Sequence, residues 1–195
     1  MEIVALFGYG GFLLATFGWR TLQTRRTTGE SRWREPVSRT DAIGETVCVA
    51  GCFLSLVASP LAMAGVVAPL RVGWPVAQGL VSIVALAAGT VLALSAQRHL
   101  AGEWRAGVEA SGSLVTSGPF ARVRNPFYLG CFLASGSVLA AVPSAVALAG
   151  LALHLVAAEI IVRGVEEPIL ASAHGASFSS YKQRTGRFLP RRNAA

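Results

Sequence analysis

Apolar residues in this chain come in long runs instead of at the two- or 3.6-residue spacing of a half-buried strand or helix. The first run goes from Ile3 to about Leu22, with Trp19 and Arg20 near its end. A second extends from about Ile43 to Val67, and a third from about Trp74 to Ala96. From Phe127 to Val162 the chain is apolar again, too long for one crossing and interrupted at Val142-Pro143-Ser144. A bilayer core needs about 20 mostly apolar residues per helix. Proline cannot continue a helix interior without losing a hydrogen bond, so Pro143 splits the last run into two antiparallel helices. The pattern predicts an all-α, polytopic membrane helix bundle of about five transmembrane helices, the last two a helical hairpin. The opening MEIVALFGYGG has an acid and no basic stretch, so the first span is expected to be retained.

Small residues recur at four-residue spacing in two spans: Gly51, Ser55 and Ser59, then Ala85, Gly89 and Ala93. In lipid such rows let helix backbones approach closely. Between and after the spans lie three polar segments, 23–42, 97–126 and 163–195. The expected organisation is one membrane domain over 1–195. Three N-terminal helices fill 1–96, and a loop, hairpin and tail fill 97–195. The stretch 163–168 is expected to continue the fifth helix until Pro168 kinks or ends it. The closing Gly186–Pro190, with Tyr181 upstream, reads as an amphipathic tail on the interface.

Composition agrees with the runs. Hydrophobic residues make up 53% of the chain and charged residues only 14%, well short of the quarter usual for a soluble surface. A net charge of +7 would suit nucleic acid, but the basic residues stand beside the apolar spans, which fits headgroups instead. All of them except Arg71 fall on one side of a five-span chain. The positive-inside rule makes that side cytoplasmic, with the N-terminus outside and the C-terminus inside. A multi-pass protein of a bacterial inner or plasma membrane is expected.

The chemistry is sparse. Cys48, Cys52 and Cys131 are too few for a disulfide framework or a zinc site, although Cys48 and Cys52 share a helix face. His99, His154 and His174 share no metal-ligand spacing, and mid-span His154 reads as a packing or hydrogen-bonding residue. No metal is expected. Gly8, Gly10 and Gly11 follow no strand and form no dinucleotide loop. What remains are two segments that face each other across the cytoplasmic end. In the first, Gly118-Pro119 marks a turn and Arg124-Asn125-Pro126 a helix start. In the second, Arg163 and Glu167 stand four apart, within salt-bridge reach. The Glu166-Glu167 pair at the mouth of an apolar bundle suits a cationic, polar cosubstrate.

Leu114–Phe120, Val123–Gly130, Arg163 with Glu166-Glu167, Tyr181 and Arg187–Pro190 together resemble the isoprenylcysteine carboxyl methyltransferase family. The likeness covers residues 112–190, and phosphatidylethanolamine N-methyltransferases share part of it. It implies a membrane enzyme that uses S-adenosylmethionine on a lipophilic or lipidated acceptor entering from the membrane. By the same likeness, cofactor contacts fall on Gly112, Ser113, Leu114, Val115, Phe120, Asn125, Pro126, Phe127, Tyr128 and Glu167. Arg163 matches the arginine facing a substrate carboxylate, so Arg163 and Glu167 carry the implied catalytic roles. Phe120 stands where the family often has tyrosine; Asn125 and Gly112 stand where histidine is frequent.

A carboxylate acceptor is already anionic and needs no general base, which makes a methyl ester the expected product. Alternatives are a phospholipid N-methyltransferase-like enzyme, an NADPH-dependent reductase of the sterol-reductase type, and a bundle that binds lipid or a partner without catalysis.

Overall fold

Lipid offers no hydrogen bonds, so a chain this apolar must satisfy its backbone inside helices. The computed structural model describes residues 1–19, 21–22, 36–70, 73–100 and 113–191. Among them α1 is Glu2–Leu13, extended by a π-helical turn at Leu14–Trp19; α2 is Arg39–Met63; and α3 is Pro75–His99. A 3₁₀ turn, Gly118–Ala121, precedes α4, Pro126–Ala141. Then come α5, Ala145–Ile161, a π-helical turn, Val162–Glu166, and α6, Glu167–Arg184. This is an all-α membrane helix bundle.

Helices α2 and α3 and the continuous rod from Ala145 to Arg184 are long and apolar enough to cross a membrane; α1 and α4 are shorter apolar helices. The five sequence-predicted spans coincide with α1–α5, their ends displaced by about one turn at most. The largest displacement is at α2, which begins inside the segment read as polar because Ser38 caps it: Ser38 Oγ accepts from Asp41 N at 3.1 Å. At about 1.5 Å per residue α4 spans about 24 Å, short of a hydrocarbon core of about 30 Å. It is the bundle's central helix, packed against α1, α2, α3 and α5 and buried at nine of its sixteen positions. Phe7, Val49, Phe53, Val84, Val91 and Leu148 stand exposed on the outer faces, as acyl chains allow and water does not.

Glycine sets the two tightest crossings. A Cβ on Gly89 would sit 2.6 Å from Gly130 O, and one on Gly130 would sit 2.7 Å from Gly89 O, so α3 and α4 touch backbone to backbone. A Cβ on Gly150 would lie 2.8 Å from Ser55 N, which brings α5 equally close to α2. Polar contacts add to these: Gln97 Nε2 donates to Thr16 O at 2.9 Å, and Ser82 Oγ to Ser137 O at 2.9 Å. The expectation that the small-residue rows bring helices together is met.

Of the two outcomes expected at Pro168, a kink or an end, the helix does not end there. The preceding turn widens so that Glu167 N bonds to Val162 O five residues back, and Pro168 falls in the first turn of α6, where its missing donor is not needed. The rod bends further on, at Gly175, whose φ is 48°. The tail folds back on the start of α4, where Phe188 meets Phe132 and Tyr128 with ring centroids at 5.2 and 6.4 Å.

The α3–α4 contact generates a test. Gly89→Ala places a methyl against a carbonyl that cannot step aside, and should cost about 1–3 kcal/mol. The midpoint of thermal unfolding in detergent should fall, while Gly136→Ala, with nothing within 4 Å, should leave it unchanged.

Candidate functional site

The site is built at the end of the bundle where α3 stops, α4 starts and α5 runs on into α6. Gly118 turns the chain with φ 57°, and a Cβ there would strike the His99 ring, so the sequence needs glycine. Pro119 and Pro126 then fix the entry into α4. The C-terminal tail clamps this loop. Val123 and Gly186 form a parallel bridge. Arg124 N donates to Gly186 O at 2.8 Å and Asn125 N to Arg187 O at 3.0 Å. Asn125 Nδ2 adds a bond to Arg187 O at 3.2 Å, and Tyr181 Oη donates to Phe120 O at 2.7 Å.

Glu167 ties these pieces together. Its Oε1 accepts from Arg124 Nη2 at 3.1 Å and Arg187 Nε at 3.0 Å; its Oε2 accepts from Arg187 Nη2 at 3.1 Å and Lys182 Nζ at 3.3 Å. Burial works to raise its carboxyl. The bonds from Arg187 and Arg124 and the charges of Arg187 and Lys182 outweigh that and hold it at about 2. Glu166, next in the chain, points elsewhere. Tyr128 Oη donates to its Oε1 at 2.9 Å, and among the described residues it has no cationic partner. It stands beyond the apolar span of α5. Burial pushes its carboxyl up to about 7 despite the bond from Tyr128, with the charges of Asp41 and Glu167 adding to the rise.

Beneath these groups lies a cavity of about 860 Å³, within the range of about 300–1,000 Å³ usual for small-molecule sites. Its walls come from α1, α2, α4, α5, α6 and the 113–125 loop. Ser113, Leu114, Val115 and Phe120 line it from the loop; Asn125, Pro126, Phe127 and Tyr128 line it from the start of α4; Glu167 closes the charged end. Gly112 lies outside the described residues. Arg163 does not line the cavity. It is exposed and paired with Glu159 one turn earlier, instead of with Glu167. The reason is that Arg124 and Arg187 from other segments, with Lys182 from further along α6, occupy both oxygens of Glu167. The residue expected to face a substrate carboxylate therefore faces away from the cavity.

Sequence reading missed several contributors. Arg124 lines the cavity, and its Nε is buried with no hydrogen-bond partner among the described residues. The only signal for it was its place in the Val123–Gly130 motif. Arg187 carried the same kind of signal in the closing motif. Asp41 and Glu45 also line the cavity, from the first turns of α2, and nothing in their spacing linked them to residues beyond 112. Deep in the cavity Cys48, Cys52, Cys131 and His154 share the wall, a grouping that no sequence spacing announced.

Glu167 makes a prediction for pH. Its folded value lies below the ordinary 4.5, so the stability it contributes is complete above pH 4.5 and is lost as pH falls toward 2. Glu167→Gln leaves three cations without their anion and should cost on the order of 3 kcal/mol at neutral pH. The gap between variant and parent in thermal unfolding should close as the pH is lowered through that window.

The curated proteins compared with this sequence give no match. The family model described as phospholipid methyltransferase matches residues 77–177, just over half of the chain. The match takes in α3, the Gly118 turn, α4, α5 and most of α6, and so includes Glu166, Glu167 and Arg124. These are membrane methyltransferases, and this chain belongs to the phospholipid methyltransferase family.

Proposed function

We propose that the chain is an S-adenosylmethionine-dependent methyltransferase that methylates an amine on a lipophilic acceptor entering the cavity from the membrane. One observation carries the choice of acceptor. Glu166 lines the cavity with no cationic partner among the described residues, whereas Arg163, the group that would have paired an acidic acceptor, lies outside. A carboxylate at Glu166 in the cavity wall suits a cationic amine.

When bound, S-adenosylmethionine supplies a methyl group on a positively charged sulfur. The residues present fit it. The orphaned buried Arg124 Nε offers a charged donor for its carboxylate. The rings of Phe127 and Tyr128, edge to face at 5.9 Å, offer π faces for a sulfonium or adenine; cation–π attraction is worth about 0.5–2 kcal/mol. Loop residues Ser113, Leu114 and Val115, with Phe120, Asn125 and Pro126, enclose the rest. Glu167 holds Arg124 in place instead of touching the cofactor as the resemblance implied, and Arg163 has no catalytic role in this reading.

The chain's own contribution is alignment, dehydration and removal of one proton. An amine arrives as an ammonium and must lose a proton before it can attack. Glu166 Oε2 takes that proton, while Tyr128 Oη holds Oε1 and fixes the carboxylate's direction. A carboxyl at about 7 is half in its base form at neutral pH, so turnover should fall as pH drops below that value. A carboxyl acceptor, as in isoprenylcysteine methylation, is the second reading, favoured only by the free Arg124 Nε.

The test is purified protein with methyl-labelled S-adenosylmethionine and vesicles containing phosphatidylethanolamine or a prenylcysteine. Label that stays with the aminophospholipid through mild alkali is expected; methanol released from prenylcysteine would replace the amine with the carboxylate. Glu166→Gln should lower turnover about a hundredfold or more and leave S-adenosylhomocysteine binding nearly unchanged, whereas Arg163→Lys should change neither. The charged end of the bundle is assigned to the cytoplasm. A reporter after Ala195 should read cytoplasmic, and one at Arg71 the opposite face.

A further inference from the structure

In the wall of the cavity two thiols and an imidazole converge. Cys48 and Cys52 are one turn apart on α2, and His154 reaches them from α5. The two Sγ atoms and a ring nitrogen all lie within 4.8 Å of one another. Cys52 Sγ is 3.3 Å from His154 Nε2. Ligand pairs around a tetrahedral zinc, at the usual Zn–S and Zn–N lengths, stand about 3.5–3.8 Å apart. The three side chains are thus close to a coordination shell without any movement of backbone.

The second ring nitrogen is held as a metal ligand's would be. His154 Nδ1 lies 3.0 Å from Gly150 O and 2.9 Å from Ser135 Oγ. A carbonyl can only accept, so Nδ1 carries the hydrogen and Nε2 turns its lone pair toward Cys52. Tyr9 Oη, 3.4 Å from Ser135 Oγ, extends the network to α1. Gly51 leaves room for it, since a Cβ there would lie 3.1 Å from His154 Nδ1.

We infer that Cys48, Cys52 and His154 form a zinc site in the wall of the cavity. Zinc is the class that charge selects. Two thiolates and a neutral imidazole around Zn²⁺ sum to zero, and only a neutral cluster is tolerable in a membrane interior. Binding forms two Zn–S bonds and one Zn–N bond, and the two thiol protons leave to solvent through the cavity. Three protein ligands leave a fourth tetrahedral position, which faces the cavity and accepts water or a donor atom of a ligand. This inference stands on these side chains alone and does not depend on methyl transfer.

The test uses the full chain, reduced, stripped with a chelator and kept in detergent, with Co²⁺ and Zn²⁺ as the probes. Co²⁺ should bind one per chain, with a thiolate-to-cobalt charge-transfer band that Zn²⁺ abolishes. Cys48→Ser and Cys52→Ser should each lose the band, and Cys131→Ser, equally close in shape, should keep it. On the parent protein, Zn²⁺ should protect two thiols from maleimide, a readout that needs no variant. Absence of the band in the parent protein, a band that survives Cys52→Ser, or unprotected thiols would each overturn the site and return the trio to simple hydrogen-bonded packing.

Discussion

A single carboxylate, Glu167, holds the functional end together. It opens α6, and its partners come from the start of α4, from the far end of α6 and from the C-terminal tail. Charge explains why one residue can do this. Arg124 and Glu167 are both nearly buried there, and charges that close to an apolar interior are tolerable only when paired and saturated with hydrogen bonds. Arg124 also donates to Thr185 O, so the same side chain that satisfies Glu167 pins the turn that follows α6. The parallel bridge, the Asn125 bonds and the Phe188 packing all follow from that docking.

The bundle below obeys a different rule. Among apolar helices in lipid there is little water to exclude, so contact depends on how near backbones can come. That is why the Gly89–Gly130 and Ser55–Gly150 approaches matter more than any single large side chain. They also open the middle of the molecule. Small residues draw α3 onto α4 and α5 onto α2, and the cavity lies beside these contacts, walled by α1, α2, α4, α5 and α6.

Much of the fold was legible because the bilayer imposes a length and a composition on each crossing. Pro143 was enough to divide the last apolar run, with Ser144 capping α5 by accepting from Ala147 N. The loop residues from Ser113 to Tyr128 were legible as one group through their motifs, and they do share a wall. The pairing of Arg163 was not. Spacing of four made Glu167 its natural partner, but local spacing cannot count cations arriving from residues 124, 182 and 187. Pro168 misled for a similar reason: a helix can pass a proline if the preceding turn widens, and nothing in the sequence demands the wider turn. The Cys48–Cys52–His154 group was invisible because it joins two helices about a hundred residues apart.

The two adjacent glutamates show how the site gets its reactivity. Both line the cavity, and left with the same surroundings their charges would repel and each would need a cation to remain ionised there. The π turn before α6 sends them to different partners. Glu167 absorbs Arg124, Lys182 and Arg187, leaving Glu166 with only a phenol. A carboxylate in that position is neither neutralised by a salt bridge nor stabilised enough to be a poor base. Burial raises its proton affinity toward neutrality, and the charges of Asp41 and Glu167 add to the rise. The clamp at Glu167 and the raised carboxyl at Glu166 are therefore one arrangement, and disturbing Glu167 frees cations that would lower the proton affinity of Glu166.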